Sequence, residues 1–264
     1  MPELPEAEAN RRRIEEACLN RTIQSVQTGE DTQYLELPGD NERERLVGHQ
    51  FTEARRHGKV IFAGSQSGPW IGVHLGMTGA LLPFDDGDGE PDHTKLVIAF
   101  KGDRRLAFRN PRKLGWVRVL DDPTAFIDRE GYGPDALDIT RDAFRSAIGS
   151  TRGAVKSALM AQKKLAGIGN LWSDEMLFQT GTHPTAKGSD LSGETLDALF
   201  DKMRAALETV IGVDMDYDRL PRDWLIANRE GGAECPRCGG RISKMKVGGR
   251  TFPVSVNYEP PGKV

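Results

Sequence analysis

Cysteine is scarce in this chain of 264 residues, with only Cys18, Cys235 and Cys238 present. Three thiols cannot build a disulfide framework, which excludes the small stapled secreted scaffolds and points to a reducing, intracellular setting. Long apolar runs are missing as well. No stretch reaches the roughly 18 consecutive apolar residues that a membrane helix needs. The N-terminus turns charged and helical at once, leaving no apolar signal-peptide core. A cytoplasmic protein with no membrane partner is expected. Internal repeats are absent, and no sequence feature calls for an oligomer, so a monomer is expected. A one-signed charge is also lacking in total, since the formal net charge is −3.

That total hides segregation. Residues 101–120, "KGDRRLAFRNPRKLGWVRVL", carry a charge of +6, and Cys235–Val264 carry +5. Acid gathers elsewhere, as in "DDGDGEPD" (85–92). Phosphate binding follows local rather than net charge, so a nucleic-acid partner stays open beside the ordinary reading of solvated basic surface.

Hydrophobic periodicity divides the chain. Residues 5–18 have helical spacing, with Ala7, Ile14 and Ala17 on one stripe and Arg11 to Arg13 mostly off it. From about 22 to 120 the texture is short β-rich runs between Gly, Pro and Asp turns, as in a sandwich or barrel, with 82–93 as an exposed loop. Helical patterns follow at roughly 140–149, 152–163, 170–181 and 191–211. The tail predicts two short strands joined at Gly248-Gly249. An α+β multidomain chain is expected: an N-terminal helix plus β-sandwich domain over 1–124, a linker over 125–138, a helical domain over 139–232 and a hairpin over 233–264.

Several stretches carry chemistry. "MPELPEAE" (1–8) puts Pro2 behind Met1 with Glu3 and Glu6 following. One reading is helix capping, with Pro in the first turn and Glu near the positive dipole end. The other is that loss of Met1 frees a secondary amine, and α-amino groups titrate near ~7.7–8.0, well below lysine. "AGIGNLWSDE" (166–175) opens a helix with a Gly-x-Gly-Asn turn, either a phosphate seat or a plain helix–helix turn. "RRHGK" places Lys59 after a glycine turn. "HLGMTG" sets Met77 between glycines, as a core methionine or as an apolar wedge between bases.

Taken in order, "MPELPEAE", "RRHGK", "HLGMTG", "DHTKLVIAF", "NPRKLGWV", "VKSALMAQKKLAGIGNLWSDEMLFQTGTHP" and "GGRTF" resemble the bacterial formamidopyrimidine-DNA glycosylase and endonuclease VIII family over nearly the whole chain. The resemblance implies a helix–two-turn–helix motif in the helical domain and damaged double-stranded DNA as partner. It implies a bifunctional glycosylase/AP lyase acting on formamidopyrimidines, oxidised purines and further oxidised bases. Pro2 would be the nucleophile, Glu3 the acid–base carboxylate, Glu6 a supporting carboxylate, and Lys59, Asn170 and Arg250 a phosphate clamp. His74, Lys156 and Glu175 match further positions on the DNA side. Met77, Arg112 and Leu114 match the residues that fill the gap left by a flipped nucleotide, with Arg112 facing the orphaned base. The alternatives are a catalytically silent binder of abasic or damaged DNA, and a small-molecule lyase using an N-terminal proline.

Three departures stand out. Leu114 replaces the aromatic wedge common in the formamidopyrimidine branch. The family's zinc finger has four cysteines, whereas here Ser255 and Tyr258 occupy the second pair and no histidine follows His183. A structural zinc site needs four good ligands, so no zinc is expected and packing of Ile242, Val247, Phe252, Val254 and Val256 must hold the finger. The stretch 212–232 is short and acidic beside the family's Gly-rich lid, which predicts a more open base pocket and poor use of 8-oxoguanine.

Overall fold

The computed structural model describes residues 1–247 and 250–255. The Gly248-Gly249 turn and residues 256–264, with Val256 and Tyr258 among them, lie outside the described residues. The chain divides into two compact units, Met1–Gly131 and Tyr132–Val264.

The first unit opens with helix α1 (Leu4–Ala17), which buries Leu4, Ala7, Asn10 and Ile14 at three- and four-residue spacing. Asn10 fastens it further: its amide oxygen accepts the Leu81 N–H at 2.6 Å. Arg11 lies off the stripe and pairs with Glu8 and Glu15. Strand β1 (Ile23–Thr28) and the short helix α2 (Asp40–Glu44) follow, then β2 (Glu53–His57), β3 (Val60–Gly64), β4 (Trp70–His74), β5 (Ala80–Asp85), β6 (Thr94–Phe100), β7 (Arg104–Arg109) and β8 (Trp116–Leu120). They form two four-stranded antiparallel sheets, ordered β1-β6-β7-β5 and β2-β3-β4-β8. Ile61, Ile71 and Val73 of one sheet share a buried cluster with Ile98, Leu106 and Phe108 of the other, and with Ala7 and Ile14 of α1. This is a sandwich core with α1 packed against it.

The segment expected as a linker from 125 begins instead inside a helix, α3 (Pro123–Glu130). Asp122 caps it, accepting from Thr124 and Ala125 N–H, Pro123 takes the first turn, and Gly131 ends it at φ +68. Phe126 then covers the outer face of the second sheet, edge-on to Phe62 at 5.9 Å between ring centroids. That contact covers Phe62 on the outer face, while Ile61 and Ala63 of the same strand join the core, and β3 is buried throughout. The loop expected over 82–93 is shorter than the sequence suggests, because β5 runs to Asp85 with Pro83 tolerated at the sheet edge.

The second unit holds α4 (Arg141–Gly149), α5 (Val155–Leu159), α6 (Asn170–Thr180) and α7 (Gly193–Gly212). Helix α5 is shorter than the expected 152–163. Gln162 ends that pattern by folding its amide onto the backbone, accepting from Gly167 N–H at 3.0 Å and donating to Ile168 O at 2.7 Å. The tail forms β9 (Ile242–Val247) and β10 (Arg250–Ser255), paired antiparallel with Val247 opposite Arg250. Among the described residues no helix is long and apolar enough to cross a membrane.

Candidate active site and nucleic-acid interface

Three groups of candidate residues fall in the first unit. At the start of α1, Glu3 occupies the N-cap position and is 2% exposed. Its backbone N–H donates to Glu6 Oε2 at 2.8 Å. Glu6 therefore fixes the path of the chain entering the helix, and with it the place of Pro2, which is half-buried. The capping reading of this stretch is the one this geometry displays, a reciprocal box between Glu3 and Glu6.

Lys59 follows Gly58, which takes φ +57 in the turn joining β2 to β3. The register then sets Val60 opposite His74. Burial, helped by the charge of Lys59, pushes the His74 imidazole down to about 4. Its Nδ1 accepts the Gly76 N–H at 3.2 Å, and its ring stacks on Trp116 at 5.9 Å. A neutral ring held in this way keeps Nε2–H as its donor.

The third group is the pair of loops carrying Met77 and Arg112–Leu114. Asn110, fully buried, joins them: its Nδ2 donates to Leu75 O at 3.2 Å, and its Oδ1 accepts the Leu114 N–H at 3.3 Å. The loops touch closely enough that a Cβ on Gly76, itself at φ +68, would lie 2.4 Å from the Leu114 carbonyl carbon. Leu114 is 53% exposed, Arg112 is exposed and Met77 half-buried. Asn110 was not among the residues the sequence singled out, and its place inside "NPRKLGWV" was the available signal. His93 is a second such residue, exposed beside this group, with its carbonyl accepting from Asn110 N–H at 3.1 Å.

The second unit carries Lys156, Asn170, Glu175 and Arg250. Asn170 is the first residue of α6, half-buried, with Nδ2 at 3.5 Å from Asp174 Oδ2. Lys156 and Glu175 are each 1% exposed. Lys156 is bonded to Asp174, which also holds Arg229. Burial pushes the Asp174 carboxyl up, while Lys156 and Arg229 pull it back. Glu175 accepts from the backbone N–H groups of Leu225 (3.3 Å) and Ile226 (2.9 Å) and from Gln179. Burial raises its carboxyl above the ordinary range. These two side chains are internal, which differs from the DNA-side placement that the resemblance implies. Glu175 and Asp174 instead tie residues 225–229, within the short lid stretch, onto α6. Arg250 opens β10.

The two cysteines of the finger lie in different surroundings. Cys235 is buried in an apolar cluster with Leu225, Ile242 and Phe178, while Cys238 is exposed. Among the described residues no three His, Cys, Asp or Glu side chains stand together as ligands. Arg237, between the two cysteines, donates to Phe178 O at 3.1 Å at the C-terminal end of α6.

Residues 1–117 match the profile of the formamidopyrimidine-DNA glycosylase N-terminal domain, and 131–219 that of the family's H2TH domain. A formamidopyrimidine-DNA glycosylase of Roseiflexus sp. is 33% identical, covering 95% of this chain and 96% of its own length. One from Arabidopsis thaliana is 32% identical over 95% of this chain and 69% of its own. The fold is similar to that of the Lactococcus lactis formamidopyrimidine-DNA glycosylase bound to DNA containing an AP site, with a TM-score of 0.85, 23% identity and coverage of 98% and 100% of the two chains. The same enzyme with DNA containing Fapy-dG gives a TM-score of 0.83 at 23% identity, covering 96% and 98%.

Proposed function

This chain belongs to the formamidopyrimidine-DNA glycosylase family, whose members act in DNA repair, and we propose that it is a bifunctional DNA glycosylase and AP lyase of base excision repair. The damaged base sits inside the duplex stack and must be turned out before reaction. With Met1 removed, the Pro2 nitrogen attacks C1′, the glycosidic bond breaks, and the base leaves with its electron pair and a proton. Glu3 protonates the sugar ring oxygen as the ring opens to the iminium. Loss of a C2′ proton expels the 3′ phosphate, a second elimination expels the 5′ phosphate, and water releases the sugar fragment from Pro2.

The observation that carries this reading is the buried Glu3 at the N-cap, with Glu6 holding its N–H beside Pro2. Lys59 and His74 in one unit, and Asn170 and Arg250 in the other, supply the phosphate contacts that position kinked DNA. Met77, Arg112 and Leu114 fill the gap. The substrates are formamidopyrimidines and other oxidised bases, with 8-oxoguanine a poor one because the short lid is tied down on α6. The enzyme works as a zinc-free cytoplasmic monomer, and the residue pattern supports 139–232 as the helix–two-turn–helix domain.

Borohydride trapping on duplexes with formamidopyrimidine, 8-oxoguanine or an abasic site tests this, with intact mass read alongside. A covalent adduct with Met1 absent is expected, together with its loss in Pro2→Gly and a fall of about a hundredfold or more in Glu3→Gln. Tight abasic-site binding with no adduct from a processed N-terminus would make the chain a silent damage binder.

A further inference from the structure

Tyr34 is 95% exposed, the highest value among the large hydrophobic side chains described. It also sits at φ +68, a left-handed backbone position that a bulky residue rarely adopts. Such strain persists only where surrounding contacts over-determine it. Here they are identifiable. Lys95 Nζ donates to Glu30 O at 3.1 Å. Asp31, at φ +52, bonds Lys113 and stands 3.8 Å from Lys95. Leu35 turns inward, 9% exposed, with its N–H on Thr32 O at 3.0 Å. The fold thus spends fixed contacts on both sides of a ring that it leaves in solvent.

Those contacts also say where the ring stands. Lys113 lies between Arg112 and Leu114. Three residues further, Glu36 and Trp116 form a parallel bridge, with Val117 N–H on Glu36 O at 2.9 Å. Asp31 and Glu36 therefore fasten both ends of the Tyr34 loop to the segment 113–117. Tyr34 lies between Asp31 and Glu36, and Leu114, itself 53% exposed, between their partners Lys113 and Trp116. Two exposed apolar side chains thus stand on loops fastened to one another, with the exposed Arg112 close to Leu114 in the chain, a combination suited to bases flanked by phosphates.

We propose that Tyr34 is a second DNA-contacting arm, its ring stacking on a base beside the gap that Leu114 enters. The inference rests on the glycosylase reading. An aliphatic wedge parts a base step but offers no π-face to the separated bases; an aromatic neighbour on a braced loop supplies one.

The test uses the full chain and duplexes bearing a tetrahydrofuran abasic analogue, with 2-aminopurine placed next to or opposite it. Tyr34→Ala weakens binding about tenfold, within the range of one base–aromatic stack. It also removes the wild-type change in 2-aminopurine fluorescence, while Tyr34→Phe preserves both. The thermal midpoint stays unchanged in each variant, since the ring touches solvent. Wild-type binding and fluorescence in Tyr34→Ala would overturn the proposal. So would a Tyr34→Phe variant as weak as Tyr34→Ala, because the hydroxyl rather than the ring would then hold the DNA. This comparison needs no chemistry: a missing borohydride adduct counts against the catalytic reading, and an unaltered Tyr34→Ala counts against this one.

Discussion

At the scale of single side chains, His74 shows most directly what burial does to a titrating group. Burial and the Lys59 charge hold its imidazole neutral down to about 4, against an ordinary value near 6.5. Below 6.5 the unfolded chain takes up a proton that the folded chain refuses, so stability drops as pH falls from 6.5 toward 4. Above 6.5 this residue adds no slope. Ring resonances of His74 followed by NMR are expected to titrate near 4, and His74→Gln removes its share of the acid-side loss in a thermal series. Lys59→Met moves the ring upward but short of 6.5, because burial is the larger cause and remains. A ring titrating at its ordinary value in the wild type would remove His74 as a neutral donor to phosphate. Glu6 caps α1 by accepting the Glu3 N–H, which is the capping reading of that stretch in sequence.

Among the elements, α6 does more than its helical pattern suggests. It is buried on nearly every side, and its polar residues point at partners far along the chain: Glu175 at Leu225 and Ile226, Asp174 at Lys156 and Arg229. Glu175→Ala leaves the buried Leu225 N–H and the half-buried Ile226 N–H without their acceptor, a loss of about 1–3 kcal/mol for the buried one. Faster amide exchange at Leu225 and Ile226 is expected by hydrogen-exchange mass spectrometry, with exchange in α7 unchanged. Unaltered protection would show that the 225–229 segment is held by Trp224 and Leu225 packing alone. The Gly-x-Gly-Asn turn and the start of α6 were legible in sequence because turn chemistry is local. Asn110, Gln162 and Asp174 were not, since their bonds bridge loops or close turns that no periodicity records. The helix over Pro123–Glu130 was missed for a related reason: Asp122-Pro123 and Gly131 also read as loop punctuation, and only Phe126 against Phe62 decides otherwise. The shared surface of Met77 and Leu114 depends on Asn110 and the missing Cβ of Gly76, a tertiary fact with a faint trace in sequence.

At the scale of the whole molecule the question is what fastens a finger whose family relies on four thiolates. In metal-bound fingers the ion supplies folding energy outright, and chelation unfolds them. Here Cys235 packs as a small apolar side chain with Leu225, Ile242 and Phe178. Its knuckle is closed by backbone bonds, Cys235 N–H to Gly240 O at 2.6 Å and Gly239 N–H to Cys235 O at 2.9 Å. Arg237 then anchors the knuckle to the last turn of α6, where a cation meets the negative end of the dipole and shares the Phe178 carbonyl with the Gly181 N–H. On the proposed zinc-free reading, packing plus one charged hydrogen bond hold the finger, which predicts two opposite responses. Prolonged treatment with EDTA or phenanthroline leaves both the thermal midpoint and lesion-duplex affinity where they were. Arg237→Ala lowers the midpoint by about 2–4 °C per kcal/mol lost and weakens binding, because Arg250 rides on the hairpin that Arg237 secures. Metal analysis of the purified chain, read beside both curves, decides the matter. One zinc per chain together with chelator-induced melting would mean that residues beyond the two cysteines complete a site, and that Arg237 only supplements it.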